Sequence, residues 1–586
     1  MELRAPLRWR RVQRAVLWTA MLLVAVVLAR TVVRYRHVPP GRFNYDDTSY
    51  HLTAVATWNV HHDLRMPRFT FGDPRTSFYP FASELVAWEL TMPFAGGDFA
   101  ARWVELPFAL LTLVGVAVVA RRVGAGEAAL VAPLLYATVS EAWPTMALTA
   151  GNDHALAFAA VASVHGALLL RERPRVGMGT YAGAGLGLLV ATKYLGVIYA
   201  PLLAVVVVLA AVFSRRKEPA VGDVPRRARW GRLGAMVAVA VAASVVGGYA
   251  YLRNAVTTGN PIFPVSLQVG GWALPGWADV APGAWAKSAE PGFDPWRFPW
   301  RMVERFGRLF RFTLLPAALL APIAALWLAP VRRRVVYAGL FAVPLGTYLL
   351  FVRLVEDHRG VRYLLPGLAI AAVAAAWLVS RLLPRARVVV SVGLAALAAA
   401  RWVVDLPEAL LALPLVALGV WAWVRHRRPK LAPVWKLVAV GGGALAVAAL
   451  APATLRRYEE RRFRDRPAAA ALERLAGKRA ARVAYAGGNQ PYLFCGRRLR
   501  NALFMPSDVA TTATTFYRWR GPLEGPPARR PRHAWERNLA RLGIEWVVWE
   551  STGSGIRPER QWMLRSPERF SRVYADYRHE IWRVQP

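Results

Sequence analysis

Val16-Leu17-Trp18-Thr19-Ala20-Met21-Leu22-Leu23-Val24-Ala25-Val26-Val27-Leu28-Ala29 follows the basic stretch Arg8-Trp9-Arg10-Arg11 and ends against Arg30. An unbroken apolar run bracketed by arginines is the pattern of a helix crossing a hydrocarbon core about 30 Å thick. No small-residue cleavage site follows Arg30, so the run reads as an uncleaved first span and not as a signal peptide. Apolar blocks of roughly 16 to 22 residues recur down the chain, rich in Ala, Val and Leu and without strand-like alternation. Backbone N–H and C=O groups cannot stay unpaired in lipid, so such blocks are helices. The expected fold class is an all-α polytopic membrane protein of about 13 transmembrane helices.

The 586 residues are 55% hydrophobic and carry a formal charge of +39. In a soluble protein that charge would suggest a nucleic-acid partner. Here much of it lies in short clusters between apolar blocks, as the positive-inside rule expects, which argues for a membrane and against nucleic acid. With the N-terminal arginines in the cytoplasm, the basic loops Arg121-Arg122, Arg171 to Arg175, Arg215 to Arg232, Arg332 to Arg334, Arg381 to Arg387 and Arg425 to Lys430 all fall on that side. The expected location is the inner (plasma) membrane, with a cytoplasmic N-terminus and an extracytoplasmic C-terminus. The single cysteine, Cys495, permits neither an internal disulfide nor a thiolate metal site.

Three outer segments are too long for turns: 33–101, 253–311 and everything after Thr454. The expected division is a transmembrane domain over 1–454 and a small α/β domain over 455–586. In the tail, Arg482-Val483-Ala484-Tyr485-Ala486 and Glu545-Trp546-Val547-Val548-Trp549 read as strands beside helical patterns. The short pair Tyr181 to Thr192 and Leu195 to Phe213 reads as two spans, and Phe81 to Phe94 as a stretch that either crosses the membrane or lies along its interface. The run Gly441-Gly442-Gly443 sits inside an apolar span, where packing accounts for it.

The first outer loop contains Asp46-Asp47-Thr48-Ser49-Tyr50-His51-Leu52 at the head of an amphipathic helix running to about His62. Adjacent acids suit an active site, one accepting a proton while the other positions a ligand; the alternative is an N-cap with its neighbour favouring the helix dipole. Asn152-Asp153-His154 opens another helix on the same face, again as site or as cap. Cations gather there at Lys193-Tyr194, at Arg253-Asn254 and within Arg353 to Arg362, which includes Arg359. Guanidinium and ammonium groups beside carboxylates suit a phosphate-bearing lipid headgroup, although a solvated loop has the same look. His61, His62 and Asp63 with Asp46 are candidates for a divalent metal; no cofactor is otherwise indicated.

These segments, in this order, resemble the GT-C superfamily of polytopic glycosyltransferases, in particular the bacterial dolichyl-phosphate-mannose and aminoarabinose transferase type. The resemblance rests on Asp46 to Leu52, Tyr79-Pro80-Phe81-Ala82-Ser83-Glu84-Leu85, Thr149-Ala150-Gly151-Asn152-Asp153, Ala191-Thr192-Lys193-Tyr194, Arg253 to Pro261 and Arg362-Tyr363-Leu364-Leu365-Pro366. It implies that the acidic pair supplies the catalytic aspartate, Asp46 with Asp47 beside it and Asp153 assisting. It further implies a polyprenyl-phosphate sugar donor, transfer on the outer face to a lipid, glycan or protein acceptor, and Lys193, Arg253, Arg359 and Arg362 as candidates for the donor phosphate. Where that family has Asp-Glu, this chain has Asp-Asp. The alternative is a transporter or lipid flippase whose charges line a path.

Overall fold

The computed structural model describes residues 7–35, 38, 40, 46–64, 66, 74–94, 97–137, 147–214, 225–265, 267–269, 272–274, 276, 314–351, 362–382, 386–387, 389–391, 394, 466–477, 479–486, 490–496, 499–504, 532–551 and 558–585. The sequence-predicted first span is one long helix, α1 (Leu7–Tyr35). The acidic pair leads into a π turn, Asp47–His51, followed by α2 (Leu52–His61) and the short α3 (Ala82–Glu89). Eight residues of α3 rise only about 12 Å, too little to cross a bilayer.

Next come α4 (Glu105–Arg122), α5 (Val131–Ala137), α6 (Asp153–Glu172), α7 (Val176–Thr192), α8 (Gly196–Val212), α9 (Pro225–Gly247) and α10 (Tyr249–Thr258). A two-stranded antiparallel ribbon, β1 (Leu267–Val269) and β2 (Trp272–Leu274), precedes α11 (Leu315–Leu328), α12 (Arg334–Phe351) and α13 (Leu365–Arg381). The helices 101–122, 153–172, 230–247 and 362–381 have the length and apolarity to cross a membrane, and α7 and α8 are shorter apolar helices of 17 residues each. The protein is therefore a multi-pass membrane protein. The expected spans after α13, including the one holding Gly441 to Gly443, lie almost wholly outside the described residues, as does most of the 253–311 segment.

Helices α6 and α13 form the middle of the bundle: 83% of each membrane-length window is buried, against 22% for α9. In α13 every residue from Leu365 to Trp377 is buried, so it is apolar all round, as a helix wrapped by others must be. Helix α7 starts at Val176, five residues ahead of the expected Tyr181. Its glycines explain the difference. Gly179, Gly183 and Gly187 recur every fourth residue, and a Cβ there would lie 2.1, 2.3 and 2.8 Å from the carbonyl oxygens of Ala235, Val239 and Ala243 on α9. Small residues in one stripe let two backbones touch, which is the contact that membrane helices use in place of hydrophobic burial.

The tail forms a five-stranded mixed sheet in the order β4-β3-β5-β7-β6. Its members are β3 (Arg482–Ala486), β4 (Ala502–Phe504), β5 (Trp546–Glu550), β6 (Phe570–Ala575) and β7 (His579–Val584). Strands β3, β4 and β5 run parallel, and β7 pairs antiparallel with β5 and β6. The period-two alternation divides the side chains between two faces. Val483, Tyr485, Trp546, Val548 and Ile581 pack with Leu472 of α14 (Pro467–Ala476). Ala484, Val547 and Trp582 pack with Trp535 of α15 (Arg532–Arg541) and with Trp562 and Met563 of α16 (Pro558–Leu564).

Helix α2 was expected to keep a polar face. Instead Leu52 to Ala56 and Trp58 are buried. Tyr492, Cys495 and Leu499 from the tail join Leu52, Val55, Ala56 and Ala87 in one apolar cluster, and the Tyr492 hydroxyl donates to Asp98 Oδ2.

Candidate active site

Asp46 stands at the N-cap position of the π turn, yet its side chain makes no capping bond. Its carboxylate Oδ2 accepts from Arg362 Nη2 at 3.0 Å. The capping alternative therefore does not describe what this side chain does. Asp47 is buried inside the turn.

Asp153 is the first residue of α6, and that helix start is capped from elsewhere. Glu105, the first residue of α4, accepts the backbone N–H of His154 and, at 3.4 Å, that of Ala155. Asn152 donates from Nδ2 to the Thr192 carbonyl at 3.1 Å, tying the start of α6 to the end of α7. Asn152, the N-cap residue, is thereby released from capping, and Asp153, one residue further on, accepts through Oδ1 from Lys193 Nζ at 2.6 Å.

The two ion pairs meet at one ring. Lys193 Nζ lies 5.0 Å and Arg362 Cζ 5.1 Å from the Tyr363 ring centroid, both within cation–π range. Arg362 Nη2 also bonds the Tyr363 hydroxyl at 3.2 Å, and Tyr199 donates to the Tyr363 carbonyl at 2.8 Å, fixing the loop before α13. Asp46, Arg362, Tyr363, Lys193 and Asp153 thus form a continuous polar chain, drawn from segments up to 316 residues apart. Each sits at a helix end: ahead of the π turn, ahead of α13, after α7 and at the start of α6.

Arg253 is placed differently. Its Nη2 donates to the carbonyls of Phe78 at 2.8 Å and Tyr79 at 3.2 Å, and to Asn254 Oδ1 at 3.0 Å. Asn254 Nδ2 in turn bonds Phe78 O, Phe263 O and the Tyr194 hydroxyl at 3.0, 3.1 and 2.7 Å. Arg253 and Asn254 therefore stitch the Phe78-Tyr79 segment to α10, beside the polar chain. Arg359 lies outside the described residues.

Aromatic rings connect the two regions: Tyr50 meets Tyr79 edge-on at 5.8 Å, and Tyr79 meets Tyr194 at 5.4 Å. Burial, with Asp46 and Tyr79 nearby, pushes the Tyr50 phenol well above its ordinary value and keeps it protonated. Beneath the turn, His51 pairs through Nδ1 with Glu84 Oε1, and Ser83 Oγ donates to Glu84 Oε2 at 2.9 Å.

For the metal alternative, α2 separates its proposed ligands. His61 closes the helix whose N-terminal side begins beyond Asp46, so the two are about 20 Å apart along the axis. Among the described residues no group of three or more His, Cys, Asp or Glu side chains could hold a metal ion. Reasoning from sequence missed Glu105, which stands alone ahead of an apolar run, and missed Tyr363 as the ring between the two cations.

No protein-family model and no curated protein matches the chain. Solved structures do. ArnT from Cupriavidus metallidurans in the apo state aligns over 96% of this chain and 97% of its own, with a TM-score of 0.51 at 16% identity. The same protein bound to undecaprenyl phosphate aligns over the same shares, with a TM-score of 0.50 at 15% identity. A helical bundle, a sheet formed by the tail and a match over nearly the whole of both chains give one conclusion: this protein shares the fold of ArnT.

Proposed function

We propose that the protein is an inverting membrane glycosyltransferase that moves a sugar from a polyprenyl-phosphate donor to an acceptor on the outer face of the inner membrane. The observation that carries this reading is the pair of carboxylate–cation contacts, Asp46–Arg362 and Asp153–Lys193, gathered on Tyr363 at helix ends. The undecaprenyl phosphate held by the ArnT of like fold supports a donor of that class. A transport path would place its charges in mid-helix, whereas these stand at helix ends.

In the reaction, Asp46 takes the proton of the acceptor hydroxyl and that oxygen attacks the anomeric carbon. The bond from carbon to phosphate oxygen breaks, and its electron pair leaves with polyprenyl phosphate. Lys193 and Arg362 neutralise the departing charge, with Arg253 as a further donor beside them and Arg359 as a candidate from the sequence alone. A single displacement needs its base opposite the leaving group and inverts the sugar. Arg362 has two claims on it, because an arriving phosphate competes with Asp46 for the same fork. Asp47 lies beside the base, and Asp153 keeps Lys193 in place.

Transfer of labelled sugar from a polyprenyl-phosphate donor by wild type, Asp46→Asn and Asp47→Asn tests the reading, with donor binding followed in parallel. Asp46→Asn keeps the shape but cannot accept a proton, so the rate falls about 10² to 10⁴ fold while donor binding persists. Full activity in both variants removes the acidic pair as reaction centre and leaves transport as the better reading; loss only in Asp47→Asn moves the base by one residue.

A further inference from the structure

The acidic pair leads into a π turn, Asp47–His51, in which the Leu52 N–H reaches back to the Asp47 carbonyl. Such a turn holds one residue more than an α-turn, is poorer in packing along its axis and persists where its surroundings impose it. All five residues are buried. His51 and Glu84 are 2% and 1% exposed and paired with each other, and Glu84 takes its second bond from Ser83. The Tyr50 ring tilts over His51 at 4.0 Å. A buried carboxylate is costly unless satisfied, and α3 brings Glu84 to the one place where the turn can satisfy it. The proposed chemistry uses neither His51 nor Glu84.

We propose that the His51–Glu84 pair is a positioning lock that selects the π register of the turn and so aims the carboxylates of Asp46 and Asp47. An α-helix advances about 100° per residue. If the extra residue is absorbed and the turn closes as ordinary helix, every side chain upstream swings by about that angle around the axis. Asp46 then leaves Arg362, and a site whose parts are all present is misaligned. The kinetic half of this inference rests on the transferase reading; the geometric half rests on the fold alone.

The test compares Glu84→Ala, His51→Phe and the conservative Glu84→Gln, whose amide oxygen can still accept from His51 Nδ1. Three readouts are taken: sugar transfer from a polyprenyl-phosphate donor, binding of undecaprenyl phosphate, and bismaleimide crosslinking of Asp46→Cys with Arg362→Cys in a Cys495→Ala background. Glu84→Ala and His51→Phe are expected to lower kcat by about 10²-fold with donor KM and lipid binding nearly unchanged, and to reduce the crosslink; Glu84→Gln restores most of both. Unchanged kcat in Glu84→Ala overturns the lock, as does a fall in kcat with an undiminished crosslink. A parallel loss of thermal stability, KM and kcat that Glu84→Gln does not rescue makes the pair a packing element and overturns it too. Should wild type transfer no sugar, the transferase reading fails, and the crosslink still decides the geometry.

Discussion

Asn152 owes its freedom to a residue on another helix. Glu105 accepts the N–H groups of His154 and Ala155 that the N-cap side chain would otherwise take, which leaves Asn152 to tie the start of α6, where Asp153 stands, to the Thr192 carbonyl beside Lys193. Glu105→Ala should therefore leave buried donors at the start of α6 without an acceptor and cost about 1–3 kcal/mol, read as a lowered unfolding temperature in detergent. An unchanged temperature would mean that the cap is dispensable. Asp46, Asp153, Lys193 and Arg362 could be picked out in the sequence because each is a charged residue at the edge of an apolar block, where a charge needs a reason. Glu105 has the same setting, but what it binds is backbone: the N–H groups that donate to it lie 49 and 50 residues away. The stitching done by Arg253 was hidden for a related cause: carbonyls at Phe78 and Tyr79 leave no trace in side-chain chemistry.

The apolar blocks were legible as helices because lipid leaves the backbone no alternative. Interruptions within them were harder to read. Glycines near the start of α7 look like a loop until α9 is placed against them. Gly183→Val should separate α7 from α9, since even a Cβ would lie 2.3 Å from the Val239 carbonyl oxygen, whereas Gly177→Val meets nothing within 4 Å. The cost expected at Gly183 is about 3 kcal/mol or more, seen as loss of monodisperse protein, with Gly177→Val behaving as wild type. Equal behaviour of the two variants would remove the glycine stripe as the basis of this packing. The alternating strands at 482–486 and 546–550 were visible from period two alone, and the observed β5 begins one residue after the expected start. The π turn gave no such signal, because an extra residue in a helix changes no residue type, only phase.

Across the whole molecule, the tail sheet has its own response to pH. Burial pushes the His579 imidazole below its ordinary value, against the pull of Glu550 and Asp576. Burial also opposes ionisation of Asp576, but the N–H groups of Arg578 and His579 and the Tyr574 hydroxyl outweigh it and hold this carboxyl below the usual range. Both groups bind protons more readily in the unfolded chain, so the sheet is fully stable above pH about 6.5 and weakens as pH falls through that value. A second decline begins near pH 4 as the unfolded aspartate takes up its proton. Hydrogen exchange at β5 and β7 should follow this course, and His579→Asn should remove the first decline and spare the second; a flat profile in wild type would contradict it. The bond from Tyr492 to Asp98 joins positions 394 residues apart, and the cluster around it roofs the helix next to the acidic turn. Loss of Tyr492, Cys495 and Leu499 would uncover α2 while leaving Asp46, Asp153, Lys193 and Arg362 in the chain, so the acidic turn owes its shelter to a segment that carries none of the charged chemistry.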